Sequence, residues 1–290
     1  LAKADGFIEI PENRSFLEEG ETVKVNLFSS RVRPADLMFI GSHCPGVDVI
    51  LKLMRRRDPR FLCKVINVGS SGGLAAIRRG EADIAGVHLL DERTGEYNVP
   101  FLEKYGVENK AVLIGGYIRK QGLIVAKGNP KKIEGVEDLL RNDVTLINRN
   151  QGSGTRILLD TSLRAIAEKR GVSLNDLTSR IRGYYTEAKS HSSVAAAVAM
   201  GKADVGLGLK AAAEKYGLGF IPVADEHYDF AVNIERLDKK VVRNFVRTLR
   251  SEEFKQKLKS ECPGLMPTEI TGRVVHKPEG LSRNLLDAAE

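Results

Sequence analysis

Apolar and polar residues alternate one by one at the start of this chain. The alternation occurs in "GFIEI" and in "ETVKVNLF", on either side of the turn-rich segment "PENRSFLEEGE". A period of two is typical of strands with one exposed face, so the pattern predicts a β hairpin or two strands of a small sheet. Two strands are too few to form a domain alone.

From residue 31 onward the chain repeats a unit of apolar strand, small-residue loop and helix. The loops of the four units are "GSHCPG" after "LMFI", "GSSGG" after "CKVINV", "RNQGSGTR" after "VTLIN" and "KSHSS" after "IRGYYTEA". Alternating strands and helices predict an α/β fold with mostly parallel sheets. Each loop follows the carboxyl end of its strand, which is where open α/β sheets bind ligands.

An internal echo indicates two similar lobes. The segment "GEADIAG" follows the second unit and "GKADVGLG" follows the fourth. Between them lie "AVLIGGYIRKQGLIVAKGNP" and "LGFIPVADEHYDFAVN", each long enough to cross from one lobe to the other, and we predict hinge strands there. The predicted organisation is a β segment at 1–30, a two-lobed domain at 31–265 (lobe 1 about 36–118 and 232–265, lobe 2 about 122–222) and a tail at 266–290, strand-like and then weakly helical.

Composition narrows the class of protein. The chain has 290 residues, of which 42% are hydrophobic and 29% charged, enough for one large core or two moderate ones. Its net charge of +7 suits an anionic partner, but the basic residues are spread along helical faces, so we expect no nucleic acid. No apolar stretch of about 18 residues occurs, so we expect no membrane span. Three unpaired cysteines and a start without signal organisation predict a cytoplasmic protein.

The four loops have the chemistry of an anion site. A helix N-terminus offers unpaired N–H groups and a positive dipole end, and small hydroxyl residues add donors. The predicted ligand-binding residues are Ser42, His43, Ser70, Ser71, Gly72, Ser153, Gly154, Thr155, Arg156, Ser192 and Ser193. Ordinary helix capping is the alternative for any one of these loops, because Ser and Thr are common N-caps.

Other kinds of site find little support. No G-x-x-x-x-G-K-[ST] loop occurs, and "GSSGGL" departs from the dinucleotide pattern. The five histidines lack metal-binding spacing, and no acid and base pair is apparent, so we predict neither a metal site nor catalytic residues. Cys44 follows His43 but precedes Pro45, which favours a neighbour of a helix cap over a nucleophile.

Two stretches carry a resemblance to a known fold. "GYIRKQGLIVAKGNPKKIEGVEDLLRNDVTLINRNQGSGTR" is similar to the entry into the second lobe of type II periplasmic-binding-protein folds. "INVGSSGGLAAIRRGEADIAGVHLLD" resembles the molybdate- and tungstate-binding branch of that superfamily. The likeness covers about Asp36 to Pro263 and implies a two-lobed fold that closes on an oxyanion. It implies ligand-binding roles for Ser42, Ser70, Ser71, Ser153 and Thr155, whereas relatives vary at the position of Arg156.

The N-terminal stretch "GFIEIPENRSFLEEGETVKVNLF" is similar to the β-rich C-terminal domain of the molybdopterin molybdotransferase (MoeA) family. This resemblance implies the tail of a fusion protein, with transferase domains upstream in the same polypeptide and molybdopterin as a possible cofactor of that parent protein. The transferase's catalytic regions lie outside these residues, so its activity is not carried over, and we predict no cofactor for this region.

The leading hypothesis is therefore a module that binds molybdate or tungstate in cofactor biosynthesis. A fully ionised dianion needs only donors, whereas monohydrogen phosphate also favours an acceptor, and the loops hold almost no Asp or Glu apart from the nearby Asp48 and Asp160. Two alternatives stay open. One is an enzyme of the same fold that acts on a small carboxylate or phosphate, with His43 or His191 as its base, and the other is the effector-sensing domain of a regulator.

Overall fold

The computed structural model describes residues 4–18, 20–29, 32–91 and 93–281. It divides into two compact units, Leu1–Asp36 and Leu37–Glu290. In the first unit, strands β1 (Gly6–Ile8) and β2 (Val25–Leu27) pair antiparallel, which confirms the short N-terminal β segment. Its apolar side chains remain exposed, with Phe16 at 66%, because two short strands offer no second layer against which to pack.

The second unit alternates strands and helices. Its strands are β3 (Leu37–Gly41), β4 (Cys63–Asn67), β5 (Ile84–Val87), β6 (Ala111–Val125), β7 (Leu146–Arg149), β8 (Glu187–Ala188), β9 (Val205–Leu209), β10 (Gly219–Asn233), β11 (Leu265–Pro267) and β12 (Val274–His276). Its helices are α1 (Pro45–Arg57), α2 (Gly69–Arg78), α3 (Val99–Lys104), α4 (Gly154–Arg170), α5 (Leu174–Ser179), α6 (His191–Ala199), α7 (Lys210–Lys215), α8 (Lys240–Arg250) and α9 (Glu252–Glu261), with 3₁₀ turns at Val136–Leu140 and Ile234–Arg236. Among the described residues, none of these helices combines the length and apolar character that a membrane crossing requires.

One sheet runs through the second unit in the order β4-β3-β5-β10-β6-β9-β7-β8, and β11 and β12 also pair with β6. Strands β3, β4 and β5 are parallel to one another, as are β7, β8 and β9. Between these groups, β6 and β10 pair antiparallel along most of their 15 residues each. The predicted α/β fold is thus confirmed, but the sheet is mixed, because the two long strands run against their neighbours.

The buried apolar side chains form two groups that share the long strands. One group packs around β3, β5 and the β6 half that carries Val112 and Ile114. The other packs around β7, β9 and the β6 half that carries Leu123 and Val125. We refer to these halves of the second unit as lobe 1 and lobe 2. The bounds predicted for each lobe stay predictions, because the whole unit is compact from Leu37 onward.

The fourth predicted strand, "IRGYYTEA", is mostly a turn. Only Glu187–Ala188 forms a strand, beside β7. Gly183 has a φ of +84°, and a Cβ there would lie 2.0 Å from the carbonyl oxygen of Leu146, so the backbone must turn closely against β7. Tyr184 follows at once and is buried, with its hydroxyl donating to Asp160 at 2.8 Å. The apolar residues of this segment therefore reflect a buried turn and not a strand.

The predicted tail extends the sheet of lobe 1. β11 pairs with β6 at Arg119 to Tyr117, and β12 pairs with it near Ile114. The hydroxyl of Thr271 donates to the carbonyl of Gly116 at 2.6 Å, which ties the connection between these strands to the same edge. The weakly helical end predicted for the tail falls on residues 282–290, outside the described residues.

Candidate ligand-binding cleft

A cleft of about 1190 Å³ lies between the two lobes. Lobe 1 lines it with the residues that follow β3, β4 and β5, and lobe 2 with those that follow β7 and β8. Because strands of one lobe are parallel, their carboxyl ends and the following helix starts meet at one edge of the sheet. The floor is made by the middle of β6 and β10.

Most of the predicted residues line this cleft. They are Ser42, His43, Ser70, Ser71, Ser153, Gly154, Thr155 and Ser192. Helices α2 and α6 begin at Gly69 and His191, within the segments that the sequence pattern assigns to loops, so Ser70, Ser71 and Ser192 belong to a first helical turn. Their backbone N–H groups therefore belong to the positive ends of helix dipoles.

Three predicted residues are not among those that line the cleft: Gly72, Arg156 and Ser193. Arg156 is 4% exposed and its guanidinium lies over the ring of Tyr184, 4.3 Å from the centroid. Its Nε donates to Asp160 at 2.9 Å and its Nη1 to Glu187 at 3.3 Å. A helix turns successive side chains by 100°, and this turn directs Arg156 into lobe 2 while Ser153 faces the cleft.

Ser153 serves as a helix cap and also faces the cleft. Its Oγ accepts the backbone N–H of Arg156 at 3.2 Å, which makes it the N-cap of α4. The cap uses an acceptor site of the hydroxyl and leaves its proton free to be donated. The capping alternative and a ligand contact are therefore compatible at this residue.

The predicted residues of lobe 1 make hydrogen bonds within that lobe, and two of its serines contact His88. Ser42 Oγ lies 2.9 Å from His88 Nε2, and Ser70 Oγ accepts the backbone N–H of His88 at 3.1 Å. Ser71 accepts a hydrogen bond from the hydroxyl of Tyr105 at 2.7 Å. His43 is turned toward α1, where its Nε2 lies 2.9 Å from Asp48.

The floor carries charged residues that the sequence pattern did not single out. Arg119 and Gln121 lie two residues apart on β6 and line the cleft, and Glu226 lies opposite Arg119 on β10. Glu226 accepts from Arg119 Nη2 through Oε2, and its Oε1 lies 2.9 Å from His88 Nδ1. Among the described residues, Arg119 Nε and Gln121 Oε1 are buried polar atoms without a partner. Buried polar atoms without a partner are uncommon in folded proteins, and both of these belong to residues that line the cleft.

The pKa values of this floor follow from its ion pairs. Burial by itself raises the pKa of Glu226, but Arg119 and His88 together outweigh burial and lower that pKa to about 2. Burial and then Arg119 lower the pKa of His88, against an opposing effect of Glu226. Glu226 is therefore a carboxylate and His88 a neutral imidazole near neutral pH.

A second arginine lies on the lobe 2 side of the cleft. Arg149, at the end of β7, donates from Nε to the carbonyl of Ala188 at 3.1 Å, and its Nη1 lies 3.3 Å from His191 Nδ1. Burial, followed by Arg149 and Arg119, holds the pKa of His191 well below its usual range. The walls thus add a second guanidinium cation and a neutral imidazole.

These missed residues had a weak signal in the sequence. "YIRKQG" places Arg119 and Gln121 on one face of a long strand whose other residues are mostly apolar. A buried charge in such a strand requires a partner, and Glu226 in the second long segment provides it. The pairing register that brings them together is tertiary information, which the pattern of one strand does not contain.

Comparison with known proteins defines the class. The model of the PBP superfamily domain matches residues 51–250. The fold and its interlobe cleft are those of a two-lobed ligand-binding protein, and the chain belongs to the PBP superfamily. A second model, the MoeA C-terminal region (domain IV), matches residues 1–28.

Two proteins of similar sequence are uncharacterised. The Bacillus subtilis (strain 168) protein YvgK is 37% identical over 207 residues, which cover 71% of this chain and 63% of that protein. This chain therefore spans less than two thirds of that relative's length. A protein encoded in the 5′ region of a Clostridium pasteurianum 2Fe-2S ferredoxin gene is 34% identical over 100 residues, which are 33% of this chain and 83% of that protein.

Solved structures of similar fold come from substrate-binding proteins. A putative phosphate ABC transporter substrate-binding protein with bound phosphate from Clostridium perfringens has a TM-score of 0.58 at 15% identity, covering 80% of this chain and 99% of that one. The substrate-binding domain of a putative molybdenum ABC transporter from Clostridium difficile has a TM-score of 0.56 at 16% identity, with coverage of 80% and 99%. The sulfate-binding protein SubI from Mycobacterium tuberculosis H37Rv has a TM-score of 0.55 at 16% identity, with coverage of 81% and 88%. At these identities the likeness concerns the fold alone.

Proposed function

We propose that this chain binds a small oxyanion between its lobes, and that the ligand is molybdate or tungstate. The observation that carries the proposal is the set of donors directed at one cleft. Hydroxyl groups and helix N-termini of both lobes line it, and the guanidinium groups of Arg119 and Arg149 lie at its floor and wall. Charge-assisted hydrogen bonds of this kind are about twice as strong as neutral ones.

The lysines of the cleft favour an anion as well. Lys104, Lys189 and Lys215 line it together with three arginines, Arg93, Arg119 and Arg149. Positive charges along a cleft raise the local concentration of anions and their rate of association. The negative charge of Glu226 works against an anion, but its ion pair with Arg119 offsets it.

Fold relatives support the class of ligand. The solved proteins of similar fold are described as binding phosphate, as part of a molybdenum transporter and as binding sulfate. Among these oxyanions, molybdate is supported by the likeness of "INVGSSGGLAAIRRGEADIAGVHLLD" to the molybdate- and tungstate-binding branch. Glu226 also lines the cleft, and its two carboxylate oxygens pair with His88 and Arg119.

The first unit supports a proposal for the biological setting. Its match to the MoeA C-terminal region and its exposed apolar side chains favour the end of a larger β-rich domain. We therefore propose a role in molybdenum or tungsten cofactor biosynthesis, in a cytoplasmic polypeptide that also carries molybdopterin-handling transferase domains. In this setting the cleft delivers the oxyanion for insertion or reports its level to those domains.

The direct test is thermal unfolding with molybdate, tungstate, sulfate, phosphate or no addition. An oxyanion at about 100 times its Kd stabilises the folded state by about 2.7 kcal/mol, so the unfolding temperature rises measurably. A shift with molybdate or tungstate alone supports the full proposal, and a shift with every oxyanion supports the class without the identity. No shift with any of the four contradicts it.

A matched pair of variants locates the ligand. Ser192→Ala removes a hydroxyl that lines the cleft, whereas Ser193→Ala removes its neighbour, which is outside the cleft lining. Ser193 Oγ instead lies 2.7 Å from Ser190 Oγ. If the oxyanion binds in this cleft, the first substitution lowers its affinity and the second does not. Equal effects would place the ligand elsewhere.

A small organic phosphate or carboxylate is the second candidate, and the size of the cleft favours it. Pockets of roughly 300–1000 Å³ enclose drug-sized ligands, and this cleft of about 1190 Å³ exceeds that range. The same unfolding assay with small phosphorylated carboxylic acids tests this candidate. Incubation followed by ³¹P NMR separates binding from turnover, which the enzyme alternative requires.

A further inference from the structure

Four side chains form a continuous hydrogen-bonded chain from the cleft into the floor. Ser42 Oγ lies 2.9 Å from His88 Nε2, and His88 Nδ1 lies 2.9 Å from Glu226 Oε1. Glu226 Oε2 in turn accepts from Arg119. Ser42 and Arg119 are 8% and 2% exposed and both line the cleft, so the chain begins and ends at the place where a ligand binds.

The inner end of the chain determines the tautomer of His88. Glu226 is ionised and can only accept, so His88 Nδ1 must carry a proton. In the neutral imidazole, Nε2 is then an acceptor, and the hydroxyl of Ser42 donates a hydrogen bond to it. Ser42 consequently presents lone pairs, and no proton, to the cleft.

Protonation of His88 reverses the outer hydrogen bond. Nε2 then donates to Ser42 Oγ, and the hydroxyl proton of Ser42 becomes available to the cleft. The charge of the floor changes at the same time. Arg119, Arg149 and Glu226 together carry one positive charge, and an imidazolium raises this to two, which matches a dianion.

We propose that Ser42 and His88 make the cleft take up one proton when it binds a fully ionised oxyanion, and none when the oxyanion brings a proton of its own. In the first case the proton comes from solvent and is held at His88 Nε2. In the second case the ligand donates its proton to a lone pair of Ser42, and His88 stays neutral. The inference rests on the proposed oxyanion binding. It adds that the proton uptake of the cleft depends on whether the bound oxyanion carries a proton.

The surroundings of His88 determine the pH range of this effect. The charged and titratable groups that face it are Glu226 and Tyr228 from β10, Arg119 from β6, and His191 across the cleft. Burial and Arg119 lower the pKa of His88 in the free protein, and a bound dianion opposes Arg119 and raises it. Between these two pKa values the affinity for a dianion falls about tenfold per pH unit as the pH rises.

Calorimetry measures the proton directly. Titrations with molybdate, sulfate and phosphate near pH 7.5, in buffers of different ionisation enthalpy, give the number of protons taken up per ligand bound. We expect about one proton for molybdate and sulfate and about none for hydrogen phosphate. Binding of molybdate without proton uptake, together with an affinity that does not change between about pH 6 and pH 9, would overturn the inference and leave the proposed function intact.

Variants assign the proton to its residue. In His88→Gln the side chain cannot take up a proton, and its NH2 group is directed to Glu226 and its carbonyl to Ser42 at every pH, so we expect molybdate to bind without uptake and without pH dependence. His191→Gln is the matched control, since His191 is a second buried imidazole of the cleft with a lowered pKa, and the proton uptake of this variant should equal that of the unaltered protein. Uptake lost in His191→Gln and retained in His88→Gln contradicts the assignment.

Two further outcomes are a His88→Gln variant that does not fold and an unaltered protein that binds no oxyanion. If His88→Gln does not fold, as judged by its thermal unfolding, Ser42→Ala takes its place, because it breaks the link between His88 and the ligand without altering the imidazole. We then expect the proton uptake to disappear in that variant, and unchanged uptake overturns the inference. If no oxyanion binds to the unaltered protein at any pH, the proposed function fails and this inference fails with it.

Discussion

Arg119 and Glu226 face each other on β6 and β10, the two strands that join the lobes, and form an ion pair that is almost completely buried. Their side chains are 2% and 3% exposed. Arg119 also lies 5.0 Å from the centre of the Tyr228 ring, and Glu226 pairs with His88 from lobe 1. The pair therefore joins the two long strands at the floor of the cleft, between the lobes.

Removal of one charge of this pair should destabilise the protein strongly. Glu226→Gln leaves the guanidinium of Arg119 buried without a counter-ion, and breaking such a pair costs about 3–5 kcal/mol. Asp225→Asn is the matched control, because Asp225 pairs with Lys120 on the same two strands but is half exposed. That exposed pair contributes about 0–1 kcal/mol. Urea unfolding of both variants checks this prediction, and similar losses would argue against it.

The same carboxylate should make the stability depend on pH. The pKa of Glu226 is lowered from 4.5 to about 2 by Arg119 and His88, against the effect of burial. A carboxyl group with a lowered pKa stabilises the folded state fully above its unfolded pKa, and this contribution disappears as the pH falls through the folded value. The free energy of unfolding should therefore decrease between about pH 5 and pH 2. In Glu226→Gln the decrease should be smaller, and equal slopes would contradict the assignment.

The sequence predicts the elements of this fold better than it predicts the site. The strand and helix units, the two long strands and the hydroxyl groups near the helix starts follow from local periodicity and small-residue loops. Arg119, Glu226 and His88 come from β6, β10 and the end of β5. Their meeting point depends on the antiparallel register of β6 and β10, which local pattern does not determine.

The motif "GSGTR" predicts a ligand contact for Arg156, whose side chain the structure places outside the cleft lining. Arg156 follows Ser153 and Thr155 in "GSGTR", yet its guanidinium packs on Tyr184 and pairs with Asp160. Arg149, seven residues earlier at the end of β7, is an arginine of lobe 2 that does line the cleft. A helix start places neighbouring side chains on different faces, so proximity in sequence did not identify the arginine that lines the cleft.

The two arginines should therefore behave differently. Arg149→Gln removes a charged donor from the cleft, and a hydrogen bond to a charged group contributes about 1.5–3 kcal/mol, so the oxyanion Kd should rise by about tenfold or more. Arg156→Gln removes ion pairs within lobe 2 and should lower the unfolding free energy with little change in Kd. Calorimetric titration and urea unfolding of both variants measure the two quantities. A large loss of affinity in Arg156→Gln alone would reverse the assignment.

Ser153 combines two roles that a pair of substitutions can separate. Ser153→Ala removes the N-cap of α4, which costs about 1 kcal/mol of stability, and a hydroxyl that lines the cleft. Ser173→Ala removes the equivalent cap of α5, where Ser173 Oγ accepts the backbone N–H of Asp176 at 3.1 Å. Ser173 is not among the residues that line the cleft. Both variants should lose similar stability, but only Ser153→Ala should weaken oxyanion binding, by roughly 1.5–3 kcal/mol. If Ser153→Ala binds as tightly as Ser173→Ala, the hydroxyl of Ser153 is a helix cap alone, and the anion contacts on α4 come from its backbone N–H groups.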